Sequence, residues 1–188
     1  RLIAEKFGPV FRLTATQNLI LSDIKEENKS AIEKILNDHG CSIVFNPGLI
    51  KGRGMACPAL PTCGLALAES ERIFPALLAK IENAQAAAGI AHEELVVRMT
   101  GCPNGCARPY NAEIGLVGKA PGKYNLMLGG NREGTRLART WRESVLLDEI
   151  PVAVGELFKQ YAQQRKNGQA FGDWVNEASI WPAPTTQA

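Results

Sequence analysis

The 188-residue sequence predicts an α+β fold built in two parts. Three observations carry that prediction. Residues 1–50 run strand, helix, strand and end in a turn signal, a βαβ-like unit. Residues 51–188 hold several short apolar runs of strand type, LVVRMT, EIGLV and KYNLML. Around those runs lie two stretches of helical composition, residues 64–88 and 145–166. At this length the chain can build a hydrophobic core, as one domain or as a domain with a smaller unit, without help from disulfides.

Residues 10–21, VFRLTATQNLIL, alternate for several positions and then turn continuously apolar, which predicts one strand entering a buried sheet. Asp23, with Glu26 three residues later, has the pattern of a capping box. Ile24, Ala31, Ile32, Ile35 and Leu36 then recur on one helical face until Gly40 supplies a stop, with His39 placed to favour the helix C-terminus. CSIVF, residues 41–45, predicts the next strand, in which Cys41 packs as a small buried hydrophobe. Asn46, Pro47 and Gly48 close the unit. A domain boundary near residue 50 therefore separates domain 1–50 from domain 51–188.

In the second domain, Pro75 lacks a backbone donor and clashes with the preceding turn, so the helical stretch 64–88 is expected as two pieces. LVVRMT (95–100) reads as a short buried strand, followed by the loop TGCPNGCARPY and the strands EIGLV (113–117) and KYNLML (123–128). After the loop GGNREGTR comes the helix over 145–166. A tail containing Phe171, Trp174 and Trp181 is expected to pack back on the body. No internal repeat or low-complexity segment is visible.

Lys and Arg total 21 against 19 Asp and Glu, so overall charge makes no case for nucleic acid or a membrane surface as partner. No apolar run approaches the roughly 20 residues that span a bilayer. The start, RLIAEKFGPV, has neither a signal-peptide profile nor an initiator Met, and the chain reads as part of something longer.

Five cysteines are an odd number, and four of them form two tight pairs in Gly- and Pro-rich sequence, which favours metal over disulfides. The pairs are C-x5-C (Cys57, Cys63) and C-x3-C (Cys102, Cys106). With only His39 and His92 available, a His-rich zinc or iron centre lacks ligands, and His92 opens the acidic stretch HEE as a solvated residue. A cubane iron–sulfur cluster needs thiolates arriving from different directions. Irregular backbone aims them so, and Pro58, Pro61, Gly101, Pro103 and Gly105 supply it. Such a centre is anionic and calls for backbone N–H groups and cations; Arg53, Arg98 and Arg108 are near in sequence. Spacing alone leaves structural zinc open, although C-x5-C is wider than zinc usually takes, and neither pair matches the common ferredoxin runs.

MACPALPTC (55–63) and RMTGCPNGCARPYNAEIGLVGKAPGKYNLMLGGNREGTR (98–136) resemble the cluster and siroheme segments of assimilatory sulfite reductase hemoproteins. Residues 1 to about 50, with FRLTATQNLIL, resemble the ferredoxin-like half-domain of nitrite and sulfite reductases, so the resemblance covers nearly the whole chain. It implies a C-terminal portion of such a hemoprotein: a ferredoxin-like half-domain followed by a mixed-sheet domain that binds a 4Fe–4S cluster and siroheme.

By the same resemblance, Cys57, Cys63, Cys102 and Cys106 bind the cluster, Cys106 also bridges to the siroheme iron, and Asn104 lies against the macrocycle. The implied reaction is the six-electron reduction of sulfite to sulfide, with nitrite to ammonium as sister chemistry. A flavoprotein or ferredoxin is the implied electron donor. The implied location is the cytoplasm, or the plastid in a plant or alga. The resemblance assigns the groups that bind substrate to an N-terminal half not in this sequence. Lys119, Lys123, Arg132, Arg136 and Arg139 are left to meet siroheme carboxylates, that other half or solvent. Arg12 is followed by Thr14, Ala15 and Thr16, where the siroheme-gripping half carries several arginines, so this strand is expected to be structural. The fragment alone is expected to bind siroheme weakly and to turn over slowly or not at all. A zinc or cluster module serving only the fold is the alternative from another class.

Overall fold

In the computed structural model, residues 1–14, 19–41 and 50–181 are described, and the chain divides into two units, Arg1–Pro47 and Gly48–Ala188. The first begins with a helix that the pattern did not announce, α1 (Leu2–Phe7), ended by Gly8 in the left-handed region at φ 58°. The single strand expected over 10–21 is two strands, β1 (Val10–Leu13) and β2 (Leu19–Ser22), paired antiparallel with Val10 opposite Ser22 and Leu13 opposite Leu19. The intervening sequence, TATQN, has neither Gly nor Pro to mark a reversal. Nor do these strands enter a buried sheet, for Leu13 is 88% exposed and Val10, Phe11, Leu19 and Ile20 are also exposed.

A 3-10 turn at Glu26–Asn28 leads into α2 (Lys29–Asp38). The expected capping box is absent, because Asp23 sits in the left-handed region at φ 60° and no side chain caps either segment. Gly40, at φ 71°, follows the helix where a stop was expected, and His39 Nδ1 lies 2.8 Å from the Ile35 carbonyl oxygen. Cys41 is exposed, with Sγ 3.9 Å from the His39 carbonyl oxygen, which corrects the expectation of core packing. The rest of the expected strand, residues 42–45, and the Asn46–Gly48 turn lie outside the described residues.

The second unit is a five-stranded mixed sheet in the order β3 (Met55–Ala56), β4 (Val97–Thr100), β5 (Ile114–Ala120), β6 (Lys123–Leu128), β7 (Arg139–Leu146). The first two neighbouring pairs are parallel and the last two antiparallel. One sheet face, through Val97, Met99, Ile114, Leu116, Leu126 and Leu128, joins the main core with α3 (Phe74–Ala87) and α4 (Ile150–Gln164). Pro75 does not split a helix; it lies in the first turn of α3, where a missing N–H has no intrahelical partner to lose. Residues 64–73, expected as the first helical piece, are turns.

Strand β7 and the short helix α5 (Phe171–Glu177) were not anticipated. In β7 the buried residues Trp141 and Val145 stand four apart, with Ser144 at φ 54° between them and a register irregularity against β6. A bulged strand thus carries helical spacing, so α4 begins at Ile150 and not at 145. The tail packs back as expected: Phe171 lies 5.3 Å from Phe158 and 5.5 Å from Tyr161, centroid to centroid, and Trp174 joins them. Trp181 packs against the same core and donates through Nε1 to the Val175 carbonyl. No helix among the described residues is long and apolar enough to cross a membrane.

Candidate cysteine cluster site

Parallel pairing of β3 with β4, Met55 opposite Arg98 and Ala56 opposite Met99, brings the C-terminal ends of two strands side by side. Cys57 leaves one end and Gly101–Cys102 the other. The loop from Cys57 to Ser70 cannot be helix, because both its ends are hydrogen-bonded to the end of β4. Cys57 N–H donates to the Met99 carbonyl (3.2 Å), Leu67 and Ala68 N–H donate to the Gly101 carbonyl (2.8 and 3.0 Å), and Glu71 N–H donates to the Cys57 carbonyl (3.1 Å). The buried Ser70 hydroxyl donates to the Met99 carbonyl at 2.9 Å. Within the loop, Cys63 N–H donates to the Ala59 carbonyl at 2.7 Å, which closes one local turn.

The link that reaches a thiol is Gly101 N–H, which donates to Cys57 Sγ at 3.3 Å. Amide donation to sulfur stabilises a thiolate, the form in which cysteine binds metal. Residue 101 has no room for a side chain: a β-carbon there would stand 2.5 Å from Ala59 Cβ and 2.6 Å from the Ala68 carbonyl oxygen.

The second loop is held from outside. Tyr110 donates its hydroxyl to the Pro103 carbonyl at 2.6 Å, and its ring lies where a β-carbon on Gly105, itself at φ 70°, would come within 2.6 Å. Burial, and then the neighbouring Cys102, push the Tyr110 pKa up. Arg98 reaches from β4 to donate to Asn111 Oδ1 at 2.6 Å and to the Arg108 carbonyl at 3.4 Å. Desolvation and then the adjacent Arg108 cation hold the Arg98 pKa below its usual value. Tyr110, Ser70 and Asn111 carry no periodicity or spacing signal, and sequence reasoning passed over them.

All four cysteines are free thiols. Cys102 is buried, Cys57 and Cys63 are half-buried, and Cys106 is exposed, as is Asn104 in the turn before it. Among the described residues no three Cys, His, Asp or Glu side chains gather around one ion-sized point. Thiolates of a cubane cluster each bind a different iron and so stand farther apart than the ligands of one tetrahedral ion. The donor chemistry, with four thiols, an amide aimed at sulfur and two guanidinium groups beside the loops, fits an anionic multi-iron core.

The remaining basic residues are mostly engaged. Arg132 ion-pairs with Glu94 and Glu113, Arg136 with Asp173 at 2.6 Å, and Arg139 stacks on Trp181 at 3.7 Å. Arg53, near the first loop, pairs with Glu94 at 2.9 Å. Lys119 and Lys123 are exposed. His92 is largely exposed, as expected, with Nε2 3.2 Å from Glu93.

The second unit ends two parallel strands in cysteine-bearing loops, and comparison with known proteins places it among relatives. Residues 1–39 match the model of the nitrite/sulfite reductase ferredoxin-like half domain. The chain is 50% identical over 171 residues to a protein of Shewanella loihica named sulfite reductase (NADPH) hemoprotein beta-component, covering 90% of this chain and 30% of the relative. Proteins of the same name from Myxococcus xanthus and Escherichia coli are 46% and 47% identical, over 94% and 90% of this chain. The solved structure of the Mycobacterium tuberculosis NirA protein shares the fold, with a TM-score of 0.77 at 24% identity over 95% of this chain and 34% of that one. The chain belongs to the nitrite/sulfite reductase family. It spans about a third of the length of the curated relatives it matches, 30–32% of each of these three.

Proposed function

We propose that this chain is the cluster-bearing portion of a siroheme sulfite reductase, in which Cys57, Cys63, Cys102 and Cys106 hold a 4Fe–4S cluster and Cys106 is shared with the siroheme iron. One observation carries the reading: β3 and β4 end side by side, and Gly101 N–H points at Cys57 Sγ across the junction of the two cysteine loops. The names of the relatives support the sulfite chemistry. When bound, the cluster and siroheme would supply the electron transfer and the metal centre for reducing sulfite to sulfide by six electrons.

The chain's own residues bind and orient. The β4 end fixes Cys57 and Cys102 at the edge of the sheet, a local turn from Ala59 holds Cys63, and Tyr110 pins the loop that presents Asn104 and Cys106 outward. Exposure of these last two suits a macrocycle held against this face. Groups that bind sulfite and deliver protons to its departing oxygens belong, on this reading, to the rest of the protein. With Arg132, Arg136 and Arg139 engaged inside the unit, Lys119 and Lys123 are the exposed cations left for siroheme carboxylates or the other half. The relatives' names include NADPH and a beta-component, which supports an NADPH-linked donor component; ferredoxin is the alternative donor.

Iron and acid-labile sulfide analysis of the anaerobically prepared full-length protein tests the centre. Four irons and four sulfides per chain are expected, and zinc without sulfide would replace this reading by a structural zinc module held by the same four cysteines. Because the matched half-domain family spans nitrite and sulfite reductases, reduction of nitrite to ammonium is the second reading. Turnover of the two anions with an artificial donor decides between them.

A further inference from the structure

Arg98 and Arg108 stand next to each other without a carboxylate partner among the described residues. Arg98 is half-buried, and its Nε has no hydrogen-bond partner. Its Nη1 is spent on the neutral acceptors Asn111 Oδ1 and Arg108 O. Arg108 is held with φ 55° at the end of the second cysteine loop, and its Nη2 lies 3.9 Å from Met55 Sδ on β3, again a neutral contact. Each of the other arginines described in this unit has a carboxylate or an aromatic face as partner. Two adjacent cations, one partly desolvated and aiming an unused N–H, are unfavourable unless an anion lies close. Arg98 is opposite Met55, two residues before Cys57, and about 10 Å along β4 from Gly101, at ~3.3 Å per strand residue. Arg108 is two residues past Cys106.

We propose that Arg98 and Arg108 are the counter-charge of the anionic centre held by the four cysteines, and that this pair sets its reduction potential. The proposal rests on the cluster reading given above. An anionic cluster gains a further negative charge on one-electron reduction, so a nearby cation favours the reduced state. Removing one unit charge at about 10 Å, at an effective dielectric of about 20, shifts the oxidised-to-reduced ratio at fixed ambient potential roughly tenfold toward oxidised.

The test is an anaerobic redox titration of the full-length, cluster-loaded protein, following the cluster by electron paramagnetic resonance, for wild type, Arg98→Met, Arg98→Lys and Arg108→Gln. Arg98→Met and Arg108→Gln are expected to move the potential to more negative values, while Arg98→Lys, which keeps the charge and loses the guanidinium fork, stays near wild type. Unchanged potentials in Arg98→Met and Arg108→Gln overturn the proposal. Equal shifts in Arg98→Met and Arg98→Lys also overturn it, because Arg98 is then a strut for the loop and not a counter-charge. If Arg98→Met fails to hold a cluster, the exposed Arg108→Gln alone decides by the same criterion. Absence of acid-labile sulfide in the wild type strikes the cluster reading itself, and is distinguishable from either failure of the pair.

Discussion

Glu113 is fully buried beside β4, where Val96 N–H donates to Oε2 and Gly172 N–H to Oε1, both at 3.0 Å. Arg132 Nε stands 3.7 Å from Oε2, an ion pair too long to be a hydrogen bond. Burial pushes the Glu113 pKa up, and the two amides and Arg132 pull it only part of the way back. With the folded value above the unfolded one, the native state holds more protons between the two. The stability from this group is therefore complete below the ordinary carboxylate range and is lost as pH rises through the folded value. Thermal midpoints should fall across that window, and Glu113→Gln should flatten this part of the profile while costing about 1–3 kcal/mol for an amide N–H left facing another donor. At the candidate site, Tyr110→Phe removes one hydroxyl donation and is expected to cost about 0.5–1.5 kcal/mol and to speed iron loss to a chelator. Chelation at the wild-type rate would show that the loop does not depend on this bond. Cys106→Ser in the full-length protein should uncouple the heme and cluster spectra; unchanged coupled spectra would refute its bridging role.

At the scale of elements, the errors have one origin, which is that the same local pattern serves two structures. Trp141 and Val145 repeat at helical spacing in a strand because of the bulge at Ser144, and VFRLTATQNLIL reads as one strand although it reverses without Gly or Pro. Pro75 marks a helix start, not a break, and this has a measurable consequence. Pro75→Ala should destabilise by about 0.4–1 kcal/mol in chemical denaturation, through added freedom of the unfolded chain. A Pro in the middle of a helix would give the opposite sign, with stabilisation on replacement. Strands β4, β5 and β6 were legible because they are short, almost wholly buried runs bounded by loop residues.

Among the described residues of the first unit, Ile3 and Ile32 are the only buried apolar side chains, and β1 and β2 pair with each other while exposing five large apolar side chains. Two-stranded sheets of this kind are marginal in water. A peptide of residues 1–47 is accordingly expected to unfold without a cooperative transition by circular dichroism, whereas residues 48–188 contain the extended core. A cooperative melt of the short peptide would contradict this. The 188-residue chain, purified alone, should show weak Soret absorption at best, since the groups proposed to grip siroheme lie in the rest of the protein.

Cysteine spacing, Gly and Pro beside each thiol, and the resemblance they support were readable along the chain, because residue type and loop chemistry are local properties. So were the buried strands and the end of α2 at Gly40. The neighbourhood of Cys57 and Cys102 was not, since it arises from parallel pairing of β3 with β4 across the whole of α3, a contact between residues distant in sequence. The same holds for Gly101 donating to Cys57 Sγ, for Tyr110 beneath the second loop and for the unneutralised Arg98–Arg108 pair. Hydrogen bonds and Coulomb forces act through space, so folding alone settles which donors and charges surround the thiols.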